Sequence, residues 1–484
     1  MKLPFVFALA ATAACALLGG CAHRPAGPDY VAPAPLAARQ AASTGPFLSG
    51  GAATSDAEMP ARWWRLFEDP ELDGLIARAF EHNTDLRQAL ATLERATALE
   101  AEARGSEQPS ITLHGGPSFG HVTGLSVLQQ DRSPPSRHSY GMGVAVSYQL
   151  DLLGQLRRTV EAAEADTGAA RAAVDLVRVA VVGGTAQTYA ALCASGRQLR
   201  VARASVRLQE EALELALRLQ RAGKAGTIDA ARVRAQLENL RAAITPLEAR
   251  RRQSLYRLAT LTGAAPRDFP DAVSGCEQPP RVAGLLPVGD GTALLARRPD
   301  VRQAERSLAS ATARIGVATA DLYPKVSLGL SSGSAGFLAR FANRETFSYS
   351  LGPLISWSFP NTGAAHARIT QAEATARGAV ARFEGTVLTA LREAETALDA
   401  YARELDRHAA LTAARDQSLT VAEHARALLA SGKLGQLDVL DAQRTLASHE
   451  AALAASDAQL AACQVEVFMA LGGGWEDGPA AAPR

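Results

Sequence analysis

The chain has 484 residues, room for two or three domains and a large core, and its formal net charge is +1. That balance argues neither for nor against a charged partner, and with no basic run interleaved with aromatics nothing suggests nucleic acid. Only four of the 50 basic residues are lysines, an excess of arginine that reflects codon usage rather than function.

Residues 1–20 open with Lys2, run apolar from Leu3 to Leu18 and end in small residues, the pattern of an export signal that takes no part in the fold. The signal closes on "LLGGC", which resembles a bacterial lipobox with Leu18 three residues before Cys21. This implies cleavage before Cys21 and a covalent lipid on it, with no other cofactor and no metal expected; an ordinary signal with an incidental cysteine is the alternative. Ala22 rather than Asp at the next position points, by Gram-negative sorting, to the outer membrane. Each buried methylene contributes roughly 0.8 kcal/mol, so multiple acylation anchors a chain firmly. Residues 21–61, rich in Gly, Ser, Pro and Ala, read as a lipid-anchored tether.

Residues 62–263 form a first repeat. A helix begins near Pro70 with Leu72, Leu75, Ile76, Ala79 and Phe80 on one stripe, and strands are predicted over 109–121 and 138–151. In the second strand Tyr140, Met142, Val144, Val146, Tyr148 and Leu150 share one face, opposite Gly, Ala, Ser, Gln and Asp. A helical pattern then runs from Arg157 to Ala222, which would span ~100 Å if unbroken. Gly183-Gly184 argues against continuity, at about 1 kcal/mol for each glycine. Val179 to Gly196 lacks charges but is too polar to span a bilayer well, so anything crossing a membrane here must do so as β-structure. "AGKAGT" punctuates at 222–227, and a return helix carries Val233, Leu237, Leu240, Ile244 and Leu247 at coiled-coil spacing, predicting an antiparallel hairpin.

After a Pro/Gly-rich linker, 264–291, the order restarts over 292–474: helix 292–321, strands 324–333 and 346–359, a long helix 364–430, "ASGKLGQ", and a return helix to Leu471 with Val439, Leu446, Leu453, Leu460 and Val467 at sevens. Tyr140 and Tyr349, Gly223 and Gly432, and Gly263 and Gly472 each differ by 209 residues, so the chain is a tandem duplication. A tail, 475–484, carries no readable signal.

Tyr140 and Tyr148, like Tyr349 and Trp357, stand eight residues apart, or ~26 Å of strand. That matches the ~25 Å apolar band between the aromatic girdles of an outer-membrane barrel. Four strands cannot close a barrel, so membrane insertion requires several chains to share one; the alternative is a soluble sheet packed on helices. Pro353 inside a strand predicts a bulge or break. Of the cysteines left after the signal and Cys21, Cys193 and Cys463 could pair, but Cys193, Cys276 and Cys463 are expected as separate packed thiols.

Nothing reads as catalytic, and no enzyme is expected. "GLSSG" at 329–333 fits a nucleophile elbow in letters only, since it lies inside an alternating strand, and the nine histidines are scattered.

The stretches "GPDYVAPAP", "WWRLFEDPELDGLI", "YQLDLLGQLRR", "LLARRPDVRQAE", "ADLYPKVSLG", "LDVLDAQRTL" and "ALGGGW" resemble the outer membrane factors, TolC-like channels of tripartite pumps, and within them the lipid-anchored multidrug efflux branch. The resemblance implies a mainly α fold with a membrane β-barrel: a homotrimer with four strands per protomer in a 12-stranded barrel, and a long periplasmic α-helical barrel of coiled-coil hairpins. It implies an efflux duct in the outer membrane, in contact with its lipid, engaged by a periplasmic adaptor (membrane fusion) protein and an inner-membrane proton-driven transporter. Residue by residue, the family's gate falls on Leu437 and Asp441, one helical turn apart; like charges in the anionic ring favour opening or must be balanced by Arg444 or a cation, and packing and a solvated charge are the plainer alternative. Adaptor docking falls on the hairpin tips, Gly223, Lys224 and Gly226, then Gly432, Lys433 and Gly435; helix-helix turns need no more than this. A protein-secretion channel and a periplasmic coiled-coil scaffold are the competing functions.

Overall fold

The computed structural model describes residues 25–33, 45–49, 51, 53–121, 135–224, 226–268, 271–359 and 362–475. The signal, Cys21 and all of the tail but Trp475 lie outside these. The main elements are α1 (Pro70–His82), α2 (Thr84–Gly105), β1 (Ser110–Gly120), β2 (Arg137–Leu150), α3 (Gln155–Arg221), α4 (Thr227–Leu261), α5 (Gly291–Arg297), α6 (Pro299–Ala320), β3 (Lys325–Phe337), β4 (Phe347–Ser356), α7 (Thr362–Ala430) and α8 (Gln436–Ala470). The chain divides into two compact units.

One unit holds the sheet, with residues 94–169, 305–382 and the segment before Pro33. Its strands run antiparallel in the order β1-β2-β3-β4. The pairings Leu113↔Val144, Val144↔Ser332 and Ser332↔Tyr349 put the apolar positions of all strands on one face. That face is open: Ile111, Leu113, Leu328, Leu330, Tyr349, Leu351 and Ile355 are exposed. Serine and glycine dominate the other. Pro353 makes no bulge; it pairs in unbroken register with Leu328. The predicted break does not occur: the pairing of β4 with β3 continues on both sides of the proline, Leu330↔Leu351 and Val326↔Ile355.

The second unit is helical. Its core joins Trp63, Leu72, Leu75 and Ile76 to Leu192 on α3, Leu258 on α4, Leu398 on α7 and Phe468 on α8. Trp63 is stacked on Phe468 at 4.7 Å. A β-carbon on Gly473 would overlap Met59, and one on Gly474 would come within 3.0 Å of the Trp63 indole nitrogen, so "WWRLF" and "LGGGW" are two sides of one contact. The seam of α8 is as predicted: Val439, Leu446, Leu453, Leu460 and Val467 are all buried. Of the five seam residues predicted on α4 only Leu237 is buried, and Leu240 and Leu247 line a cleft of about 740 Å³ bordered by α3, α4 and α8.

Three expectations need correction. First, α3 runs unbroken through Gly183-Gly184. A β-carbon on Gly183 would overlap the sulfur of Met469, so close packing against α8 is what the glycine provides. The apolar stretch of α3 is long enough to cross a bilayer, yet Val181, Val182, Ala186, Ala190 and Leu192 are buried, and Thr185 and Thr188 donate to carbonyls one turn back.

Second, Cys193 and Cys276 form a disulfide, and Cys463 is a buried free thiol. Gly196 lets the linker close on α3, since a β-carbon there would overlap the Cys276 carbonyl. Burial, opposed by a hydrogen bond from Gln459, pushes the Cys463 thiol up.

Third, the repeat offset is not uniform. "TDLRQA" starting α2 and "PDVRQA" starting α6 lie 215 residues apart, as do Ser110 and Lys325, where β1 and β3 begin; after the strand connections the offset becomes 209. The change reflects a shorter connection between β3 and β4. Each predicted helix before the strands is also split, at Asn83 and at Arg298. These two residues do equivalent work. The Asn83 amide donates to the Leu261 carbonyl at the end of α4 (3.0 Å), and Arg298 Nη1 donates to the Ala470 carbonyl at the end of α8 (2.8 Å). Burial would lower the Arg298 pKa, yet Asp300 and Glu393 hold it above its ordinary value.

Two outcomes follow. A chain lacking residues 1–21, denatured without reductant, exposes one reactive thiol and after reduction three, counted by thiol titration; three before reduction would refute the disulfide. Gly183→Val overpacks the α3/α8 contact by about 1–3 kcal/mol, seen as a lower thermal midpoint that Met469→Ala partly restores.

Candidate functional site

Each hairpin tip is built the same way. α3 and α7 end on Gly223 and Gly432, both at φ +68°, in the left-handed region glycine favours. The N–H of Lys224 bonds the Leu219 carbonyl at 2.9 Å, and the N–H of Lys433 bonds that of Leu428 at 2.9 Å. The return helices begin on Gly226 and Gly435, whose N–H groups donate to Asp229 (3.1 Å) and Asp438 (3.2 Å). All six predicted tip residues therefore fall in two superimposable turns, each followed by an exposed aliphatic, Ile228 or Leu437.

The tips differ one turn further on. Position 441 is Asp, and its counterpart 209 residues earlier is Arg232. Leu437 and Asp441 are exposed, at 66% and 63%, on α8. Arg444 is ion-paired with Asp441 inside the same chain. The arrangement offers an apolar side chain and a neutralised carboxylate, with no nucleophile and base brought together. Among the described residues no cluster of His, Cys, Asp and Glu could hold a metal.

On the sheet, Tyr148, Tyr349 and Trp357 are exposed, at 38%, 85% and 53%. Tyr140 is not: it is 6% exposed, beneath its own unit's β3–β4 connection, with Phe341 packed on its ring at 4.7 Å. Its hydroxyl meets Ser334 (2.7 Å) and Thr346 (3.0 Å) and accepts from the Ala342 N–H (2.8 Å). Tyr140 therefore departs from the girdle position predicted for it. The strand period places it on the apolar face, and only the fold of the connection shows what covers it.

Sequence reasoning also missed a strap formed by Pro25–Tyr30. The Ala26 N–H bonds the Leu153 carbonyl at 2.8 Å, and a β-carbon on Gly27 would stand 2.5 Å from the Gly316 backbone. Gly154, at φ +73°, faces Pro25. The buried Arg158 bonds Asp29 (2.6 Å), Glu161 (2.7 Å) and the Ala26 carbonyl (3.2 Å). The Tyr30 hydroxyl donates to Glu305; burial, then this carboxylate, pushes its pKa up. Cys21 is four residues before Pro25, at most ~14 Å of chain. The family-matching stretch "GPDYVAPAP" overlaps the strap, and Gly154 and Gly316 are the positions in the rest of the sequence that make room for it.

Comparison with known proteins gives a consistent result. Residues 75–264 and 292–473 match the outer membrane efflux protein family model, one match per repeat. The chain is 29% identical to nodulation protein T of Rhizobium leguminosarum bv. trifolii, over 95% of this chain and 96% of that one. It is 30% identical to the solvent efflux pump outer membrane protein SrpC of Pseudomonas putida, over 95% and 96% of the two chains. The probable outer membrane lipoprotein SilC of Salmonella typhimurium is 27% identical over 85% and 88%. Among solved structures, the outer-membrane channel OprN superposes with a TM-score of 0.84 at 30% identity, covering 93% of this chain and 99% of that one. The open-state MtrE outer membrane channel of Neisseria gonorrhoeae does so at 0.80 and 25%, covering 93% and 99%.

The tip geometry yields one test. Gly432→Ala forces an alanine into the left-handed region at about 1–2 kcal/mol. Amide exchange at Lys433 should accelerate roughly tenfold, while Lys224 in the unaltered tip stays as it was.

Proposed function

The chain belongs to the outer membrane efflux protein family and is an outer-membrane channel of an efflux pump, and from that premise we propose that it works as a lipid-anchored homotrimer passing small molecules such as drugs. The observation that carries this is the four-stranded sheet with one exposed apolar face and two unpaired edges. Open edges are not tolerated in lipid. Two copies would give eight strands, a barrel whose interior side chains fill, whereas three give twelve and leave room for an aqueous lumen. The serine- and glycine-rich face then lines the passage.

Lipid on Cys21 would be held beside the sheet's helix end by the Pro25–Tyr30 strap. Leu437 from each protomer would narrow the periplasmic entrance as an apolar ring, with the charge of Asp441 beside it balanced by Arg444. The tips present a lysine and an aliphatic side chain to a periplasmic adaptor protein. Work would be supplied by an inner-membrane proton-driven transporter, in keeping with the efflux-pump relatives.

Conductance of the purified protein in a planar bilayer tests this. Arg444→Ala leaves three like charges facing one another, so conductance should rise severalfold at low salt, with the gain shrinking as salt screens them. Asp441→Ala/Arg444→Ala should abolish that salt dependence. A protein that conducts in no form, including Leu437→Ala/Asp441→Ala, refutes the channel.

A further inference from the structure

All four junctions between helix and strand lie at one end of the sheet, so the β3–β4 connection, Leu338–Thr346, lies at the other. With helices on the periplasmic side, that connection meets the outer leaflet. It does not continue away from the strands. It folds back over the apolar face, held by Tyr140, and its turn contains Ala342 at φ +58°, a conformation uncommon without glycine.

Beneath it the apolar face is interrupted. On β1 and β3 that face carries Gly115, Ser332 and Ser334 where large side chains would otherwise continue. A depression of about 520 Å³ results, walled by Leu113, Met142 and Phe347. This is within the ~300–1,000 Å³ range of ligand sites. Its upper end is polar: Ser334 meets the Thr346 hydroxyl at 2.8 Å. Two residues before Thr346 stands Arg344, exposed and without a carboxylate partner among the described residues; Arg340 is also exposed and pairs with Glu345 at 3.0 Å. Phe341 and Leu338 are exposed beside them. An apolar trough, then hydroxyls, then guanidinium groups with aromatic company is the order in which an anionic lipid presents its own parts, from acyl chain to headgroup.

We propose that the β3–β4 connection and the trough below it bind a phosphorylated glycolipid of the outer leaflet, with an acyl chain over Gly115 and Ser332 and a phosphate on Arg344 and Arg340. The inference rests on the apolar face meeting lipid, as under the proposed function. Bidentate guanidinium contacts favour phosphate over the zwitterionic headgroups around it.

The test uses the full-length protein in phosphatidylethanolamine nanodiscs containing either lipopolysaccharide or phosphatidylglycerol, with retained lipid counted by native mass spectrometry after transfer to mild detergent. Wild type should retain lipopolysaccharide at least tenfold better than Arg340→Gln/Arg344→Gln. Ser332→Trp, which fills the trough and leaves both arginines in place, should also lose it. Equal retention by wild type and the double variant overturns the site, and phosphatidylglycerol retained as well as lipopolysaccharide overturns the glycolipid assignment. Bilayer conductance of each protein separates these results from failure of the membrane reading itself, in which wild type and variants alike would not conduct.

Discussion

Two rows of unpaired backbone groups flank a sheet whose apolar face no element among the described residues fully covers. In water the face costs free energy; in lipid the edges do, at several kcal/mol for each unsatisfied group. Lipid answers the first problem and further copies answer the second. The regular register through Pro353 and the alternation of apolar against small residues across all four strands belong to this constraint, because a slip of one residue would turn the serine-rich face outward. Mixed chemistry along a strand, which a soluble sheet could absorb, has no place to go here.

The helical unit solves a different problem, keeping long hairpins in alignment where their return helices end. Asn83 and Arg298 occupy equivalent breaks and receive the last carbonyls of α4 and α8, one as a neutral amide and the other as a buried cation clamped by two carboxylates. The same backbone groups are satisfied by unlike side chains, and only the charged version needs carboxylate partners, Asp300 and Glu393, which reach the buried guanidinium from partly exposed positions. Asp457 extends this bracing, reaching Arg197 on α3 and His408 on α7 at 2.8 Å each.

Much of this was legible in the sequence where a period reports directly on burial. The strands, the α8 seam and both tips were found from alternation, sevens and glycine placement. What stayed hidden depends on a neighbour distant in the chain. Gly183 reads as a helix breaker until Met469 is seen filling its space. Cys276 reads as a lone thiol because its partner is 83 residues away. Tyr140 shares its face with Tyr148 in any strand, and a folded-back connection is what separates their surroundings. The strap reads as tether because it has no apolar period; it is held by backbone contacts against glycine and by one buried arginine. The 215-residue offset was present in "TDLRQA" and "PDVRQA", obscured by the stronger 209-residue matches around it.

The shared turn geometry of the two tips, followed by unlike side chains such as Arg232 and Asp441, has a consequence for how one gene would specify a ring. A single hairpin repeated six times could vary only in concert, every change appearing at all six places. In the proposed trimer, duplication within the chain separates them: three hairpins would carry the paired Asp441 and Arg444 while the other three carry Arg232, with turns of the same shape in both. Such a ring would hold two kinds of hairpin end, one with a paired carboxylate and one with a guanidinium, which a protein made of identical halves could not encode, and either set is free to change under selection without disturbing the other.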